Sequence, residues 1–450
     1  MIKGVGDWLD TRLHLAKFAR TAMDHVFPDH WSFMLGEIAL YAFVILVITG
    51  AYLAMFFNGS SAPVVYHGSY HALDGVNMTA AYSSALQLSF DVPAGLLVRQ
   101  MHHWAALIFL VAILAHAARI FFTGAYRRPR EINWIIGLTL LILAILNGYL
   151  GYSIIGDLLS GVGLRIGYAI FLSIPVIGPW LCYVILGGDI PSASTIPRFY
   201  SFHIFVVPAL IAALLALHLA IIWRQMHTNF PGPRRTDRTI VGSRLYPTYA
   251  AKSIALFFLV AAVVAMLGGI VQIDPIWTYG PFKPTAVIPG AQPDWYLGWI
   301  EGAMRLFPGI NLQFGHWLIV PELFFPAVLM PGLLFLLLYS YPFLERLFLP
   351  EDKAHNVLRL PYEQPFNTAL GSAILMFLLV LLVAGADDVL AVATGTSVVT
   401  LRFILRILVF AAPAATAALV YAICVAMRGR RRIVSQAPRL EIAASEAVER

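Results

Sequence analysis

Apolar residues gather along this chain into eight long runs, separated by stretches where charges, prolines and glycines concentrate. A membrane helix takes roughly 20 mostly apolar residues. The runs lie at about 33–57 (A), 96–121 (B), 133–154 (C), 199–223 (D), 252–272 (E), 317–341 (F), 367–386 (G) and 401–427 (H). Ahead of A, Trp8 to Phe27 is amphipathic, as a helix lying flat on a membrane or on protein would be. The connections A–B (58–95), C–D (155–198) and E–F (273–316) are long. The C–D connection stays apolar over Leu158–Ile174 and Val176–Leu186, with Pro175 and Pro179 between and within them. Short helices along the membrane interface, roofing a site, are expected there.

Composition agrees with the pattern. Of 450 residues, 60% are hydrophobic and 12% charged, about half the charge of a soluble protein. A soluble enzyme and a disordered chain are excluded. Most of the 30 lysines and arginines fall in the N-terminal arm, the B–C, D–E and F–G junctions and the C-terminal tail. Arg99, Arg165, Arg198, Lys283, Arg305, Arg402 and Arg406 are left for the other side. By the positive-inside rule both termini are cytoplasmic, and the net charge of +6 reports topology, with no nucleic-acid partner. The first 30 residues lack the apolar run of a signal peptide. The two cysteines, Cys182 and Cys424, make no disulfide framework or iron–sulfur set.

Histidines inside the runs carry the chemistry. His102 and His116 on B are 14 residues apart, and His203 and His218 on D are 15 apart. Fourteen steps is close to four helical turns, about 21 Å along the axis. The two helices thus offer two His–His pairs stacked across the membrane, where ionisable groups are costly. A planar macrocycle with an imidazole on each face fits: two b-type haems, His102 with His203 at the outer level and His116 with His218 at the inner. His103 adjoins His102 and is a rival ligand. Gly36 and Gly50 on A, and Gly137 and Gly151 on C, repeat the 14-residue spacing and would let a flat group approach the backbone. Arg99, Arg119 and Arg198 lie toward the helix ends and could meet haem propionates; simple snorkelling to the interface is the alternative.

These residues, with Pro293-Asp294-Trp295-Tyr296 in the E–F connection, resemble cytochrome b of the bc1 family, the last motif being similar to that family's PEWY signature. Val26–Glu37, Arg99–Ala106, Arg119–Glu131 and Phe230–Pro233 resemble the actinobacterial menaquinol–cytochrome c reductase members in particular. The 15-residue spacing on D is that of cytochrome b6, although E to H here share the chain. The resemblance implies an all-α integral membrane protein with eight spans. Its parts would be an arm (1–30), a di-haem four-helix bundle (31–230), the helices E–H with the outer Pro-Asp-Trp-Tyr loop (231–427) and a cytoplasmic tail (428–450).

It also implies quinol oxidation at an outer site, with menaquinol as the quinol. One electron would go to a Rieske iron–sulfur subunit. The other would cross through a low-potential outer and a high-potential inner haem to an inner quinone site, contributing to proton-motive force in the plasma membrane. Further implied partners are a di-haem c-type cytochrome subunit, a terminal oxidase in a supercomplex, a second copy of the complex and membrane lipid. Asp294, Tyr296 and Tyr152 are the expected catalytic residues, and His227, Lys252 and Ser253 the inner-site ones. Three positions depart from the family: Asp294 stands for Glu, Ile155 for Pro, and Ser253 where mitochondrial members carry Asp. Asp294 also precedes the apolar run Trp295–Ile300, where Asp is a favoured helix cap, so both roles stand open. A proton-relaying transporter would need neither the matched histidine depths nor the glycines, and a small two-haem carrier would need neither E–H nor the Pro-Asp-Trp-Tyr loop.

Overall fold

The computed structural model describes residues 8, 10–12, 14–190, 192–286, 288, 292–349 and 353–448, with side chains through residue 430 save 15, 17 and 18. Expectations on Lys3, on residues 9 and 13 of the amphipathic stretch, and on the tail side chains beyond 430 lie outside the described residues. Eight described helices are long and apolar enough to cross a membrane. They are A, Trp31–Ala54; B, Gly95–Phe122; C, Glu131–Ser153; D, Thr195–Gln225; E, Leu245–Ile270; F, Phe325–Phe348; G, Pro365–Gly385; and H, Val398–Arg430. The backbone of H continues as helix to Val448.

The eight spans fall on the eight apolar runs, with E starting seven residues earlier than expected. Span F differs, starting eight residues later than expected. Trp317–Val320 is not helical but pairs antiparallel with Leu312–Phe314 around Gly315, whose φ is 58°. The β-branched and aromatic run favours a strand, Pro321 ends it, and the helix begins only near Pro326, proline being tolerated in a first turn. Two further antiparallel pairs occur, Val26–Phe27 with Ser243–Arg244 and Pro63–Val65 with Asn77–Thr79. The first ties the N-terminal arm to the D–E connection. The C–D connection forms the helix Leu158–Leu172 and a shorter turn of helix over Gly178–Leu186, as its apolar stretches predict.

A packs along B, B against C, and C along D, while B and D make little contact across the bundle. E leans on A and B, F on C, and H lies along G. Ala39 and Ala42 of A meet Phe109, Leu110 and Ala112 of B, so small residues set the closeness of that pair. The end bearing the long A–B, C–D and E–F connections is called outer below, the opposite end inner.

Span D contains one wide turn. The Val207 amide bonds to the Phe202 carbonyl five residues back, so Phe202–Val206 is a π turn. Fifteen regular steps would carry His218 about 60° past four turns from His203. The π turn takes up one residue, leaving about fourteen effective steps, the same phase as His102 to His116 on B.

The helix Trp295–Leu306, which follows the Pro293-Asp294 pair, is clamped onto G. A Cβ on Gly302 would stand 1.8 Å from the Leu381 carbonyl oxygen, and one on Gly385 2.3 Å from that of Gly298. Arg305 pairs with Glu301 and the fully buried Asp387, and with Asp388 at 3.0 Å. Arg402 of H donates to Asp387 at 2.5 Å. Replacing Gly302 by Leu is expected to cost ~3 kcal/mol through this backbone contact. Gly332→Leu, with nothing within 4 Å of its Cβ position, should be neutral. Thermal unfolding of the solubilised complex compares the two, and equal midpoints would refute the close packing.

Candidate functional site

Two cavities are stacked along the A–D bundle. The outer one, of about 470 Å³, is lined by His102 of B and His203 of D. Their ring centres are 6.2 Å apart and the rings are turned 80° to each other. His102 Nδ1 lies 2.9 Å from Thr49 Oγ1, and that hydroxyl donates to the Ile45 carbonyl at 2.7 Å. With its own proton so engaged, Thr49 accepts from His102. His203 Nδ1 likewise donates to the Asn147 carbonyl at 3.0 Å. Both rings therefore keep the proton on Nδ1 and leave the Nε2 lone pair free, the arrangement a metal-ligating imidazole needs.

The inner cavity, of about 270 Å³, is lined by His116 and His218. Nδ1 of each is buried without a hydrogen-bond partner of good geometry. The four glycines meet the four imidazoles one to one. A Cβ would stand 3.2 Å from His102 at Gly50, 2.5 Å from His203 at Gly151, 3.2 Å from His116 at Gly36 and 3.5 Å from His218 at Gly137. Any larger residue at Gly151 would displace the ring.

These residues fit haem. Imidazole–metal bonds run about 2 Å each, so the 6.2 Å between the outer ring centres leaves the span one iron takes. The lining around the histidines is apolar, as a porphyrin needs.

The arginines divide. Arg99 lines the outer cavity and donates twice to the Asp274 carbonyl oxygen at 3.3 Å, with its Nε buried and unpartnered. Arg119 lines the inner cavity, lies 4.2 Å from the Phe33 ring and donates to the Ser32 carbonyl at 3.4 Å. Arg198 is not brought to a cavity wall. It donates to the Tyr183 and Val184 carbonyls at 3.0 and 2.6 Å, stapling the C–D connection to the start of D.

Asp294, Tyr296 and Tyr152 all reach the outer cavity. Asp294 occupies the cap position of its helix, but its side chain caps no amide. Instead the carboxylate meets His103 Nε2 at 2.9 Å and accepts from the Tyr296 hydroxyl at 3.1 Å. His103 is thus the neighbour of Asp294, while His102 faces His203. Tyr296 is buried, seated against Gly148 of C, where a Cβ would stand 2.6 Å from its hydroxyl. Tyr152 donates to the Leu159 carbonyl at 3.1 Å, and Ile155 also lines the cavity.

At the inner end His227 lines the cavity, whereas Lys252 and Ser253 do not. Lys252 turns outward to Asp29 at 2.6 Å, and Ser253 donates to Glu37 at 2.6 Å.

A profile described as "Cytochrome b(N-terminal)/b6/petB" matches residues 107–281. The chain is 48% identical over 427 residues to a "Cytochrome bc1 complex cytochrome b subunit" of Mycobacterium tuberculosis (strain ATCC 25618 / H37Rv), covering 95% of this chain and 77% of that one. The chain belongs to the cytochrome b subunits of bc1 complexes. Subunits of the same description from Corynebacterium efficiens and Streptomyces coelicolor are 45% and 43% identical over 430 and 431 residues. They are covered to 79% and 78%, against 96% and 95% of this chain. A solved chain described as "Hyperthermophilic respiratory Complex III" shares the fold, with a TM-score of 0.68 at 21% identity, over 93% of this chain and 98% of that one.

This cytochrome b subunit is accordingly a multi-pass membrane protein and part of an oxidoreductase complex, of a family that binds haem b and quinone. Sequence reasoning passed over several residues at its sites. Thr49 and Glu37 each sit beside a singled-out glycine, and an isolated acid in an apolar span is itself a functional signal. Asp157 and Asp274 carried no motif.

Asp157 is fully buried at the foot of the C–D connection. It caps the helix Leu158–Leu172 by accepting from the Ser160 amide at 3.2 Å, and its Oδ2 has no partner. Burial, reinforced by the Asp274 carboxylate, pushes its carboxyl up to about 7. An acid raised this far stabilises the fold below its unfolded value of about 4 and loses that contribution as pH rises through 7. Asp157→Asn keeps the cap and removes the charge. Its unfolding temperature should exceed the parent's at pH 8 and match it more closely at pH 5. A constant difference at both pH values would show that Asp157 does not ionise in this window.

Proposed function

We propose that this subunit oxidises quinol in the outer cavity and passes electrons across the membrane, through two b haems, to a quinone reduced in the inner cavity, contributing to proton-motive force. Menaquinol is the quinol that the actinobacterial resemblance favours. One observation carries the reading. Each of two stacked cavities is walled by a histidine from B, a histidine from D, a glycine from A and a glycine from C.

His102 and His203 hold the outer haem iron and His116 and His218 the inner one. Bound haem supplies one-electron chemistry; what the chain supplies is placement. Gly50, Gly151, Gly36 and Gly137 keep the backbone of A and C clear of the rings. Arg99 and Arg119 stand where propionates would need a cation. The outer imidazoles donate from Nδ1 to Thr49 and Asn147, and such donation makes Nε2 a stronger donor to iron. The low-potential outer and high-potential inner haems are what the family resemblance implies. Asp294 accepts a proton released by the quinol, held by His103 and Tyr296, while Tyr152 borders the same space. His227 borders the inner quinone.

The other electron of each quinol goes to a Rieske iron–sulfur subunit and on to a di-haem c-type cytochrome, in a dimeric complex joined to a terminal oxidase. The sub-regions 1–30, 31–230, 231–427 and 428–450 follow, with both termini cytoplasmic and the chain in the plasma membrane. The positive-inside distribution of arginine and lysine supports that orientation.

Two substitutions test the assignment. His218→Leu should halve the b-type haem content of the purified complex and leave the outer haem's redox signal. Loss of the outer signal alone would invert the pairing, and unchanged haem would remove His218 from the ligand set. Asp294→Asn should keep both haems, slow quinol oxidation ~100-fold, as expected on losing a general base, and flatten its pH profile. Parental turnover with the parental pH profile would eliminate Asp294 as the proton acceptor.

A further inference from the structure

The inner cavity is bordered by one carboxylate on span A, Glu37, directly after Gly36. Hydroxyls converge on it. Tyr249 donates to Oε1, Ser253 to Oε2 at 2.6 Å and Tyr41 to Oε2 at 3.3 Å, while Tyr41 and Ser253 also bond each other. Two of these three donors come from span E, so Glu37 bridges A and E beside the cavity.

The hydrogen bonds on Glu37 come from neutral donors. Donating hydroxyls favour the carboxylate as a lysine or arginine does, but without a full opposite charge to hold it in that form, so the group can take up a proton and pass it on. The lysine next to Ser253, Lys252, is engaged elsewhere, with Asp29 at 2.6 Å on the exposed surface. That pair marks how near the aqueous phase lies to Ser253.

The remaining wall supplies positive charge and a neutral imidazole. Arg119 of B and Arg130 at the start of C line the same cavity, as does His227 from the D–E connection. Burial, with His25, Arg130 and Arg119 nearby, pushes His227 down to about 4, so it stays uncharged near neutral pH. His25 in turn stacks on Trp223 with ring centres 4.5 Å apart and meets the His227 ring edge-on at 5.7 Å between centres. A quinone taking up electrons here gains negative charge next to two arginines and needs protons from an acid on the wall. Glu37 is placed to be that acid.

We propose that Glu37 donates a proton to the quinone reduced in the inner cavity, with Tyr249 and Ser253 positioning its carboxyl. This rests on the inner-quinone reading above. In the step, the quinone takes two electrons, delivered from quinol oxidised in the outer cavity, and two protons on its carbonyl oxygens. One proton leaves Glu37, which is recharged from the inner aqueous phase; the other comes from that phase. Ser253 then acts through Glu37 rather than on the quinone.

The test uses the intact complex with added menaquinone. Glu37→Gln keeps hydrogen-bonding capacity but cannot give a proton. Inner-haem reduction by quinol should proceed at the parental rate, while its reoxidation slows ~100-fold and loses its pH dependence. The infrared difference spectrum on quinone reduction should lose a carboxyl band. Parental reoxidation with the parental pH profile would overturn the proposal. The exchange Glu37→Ser with Ser253→Asp carries the carboxylate on the other partner of the same hydrogen bond. Recovery to within about threefold of the parent, against the slowed single variant, supports proton donation. A haem-replete exchange variant that reoxidises ~100-fold more slowly than the parent overturns it, a comparison that holds even if the single variant fails to assemble. Failure of the underlying reading shows separately: the unsubstituted complex would then not reoxidise its inner haem with added quinone at all.

Discussion

Four imidazoles buried in an apolar bundle set the terms for the rest of this molecule. A polar ring in the middle of a membrane-spanning bundle is costly unless it is used, and each ring here needs a flat space before it and a backbone without side chains beside it. Gly36, Gly50, Gly137 and Gly151 meet that second demand, each against a different histidine. The little contact between B and D follows as well, because the helices that carry the rings cannot close on each other without abolishing the space. A and C, which carry the glycines, pack against B and D and so fix the width of the gap.

Much of this was legible in the residues themselves. Hydropathy located all eight spans, since twenty apolar residues have few alternatives. The pairing of histidines and glycines was legible because helical phase is a rule of arithmetic. What escaped was set by strand pairing and by contacts that residue spacing does not reveal. The hairpin Leu312–Phe314 with Trp317–Val320 took apolar residues that hydropathy alone assigns to span F, because hydropathy does not distinguish a strand from a helix. Asp294 looked like a cap, and its position is a cap position. Only the approach of His103, 191 residues earlier, turns its carboxylate away from the helix amides. Arg198 lay at a reasonable distance from His203 along the chain, yet carbonyls of a neighbouring turn claim it first.

The two ends of the bundle handle acid groups differently. The outer carboxylate stands on a loop-borne helix whose seat depends on glycine contacts with G and on the Arg305 cluster. Its position is therefore a property of the C-terminal half of the chain, while the histidines it neighbours belong to the N-terminal half. The inner carboxylate grows from span A itself and is held by E. Both sites straddle the same division, so neither half of the chain completes a site alone. That gives a physical reason for E to H to be kept close to the bundle, through E on A and B and F on C.

The wide turn at Phe202–Val206 separates two quantities that an unbroken helix would tie together, chain length and angular phase. Span D is one residue longer than B between its histidines, yet both present their rings at matching angles. The surplus residue is taken up in that turn, beside Phe205, which is largely exposed at the rim of the outer cavity. Counting residues along D thus misleads a comparison of this chain with any relative whose D helix is regular. The two chains would match above the bulge and below it with an offset of one, and the geometry between the rings would be the same in both.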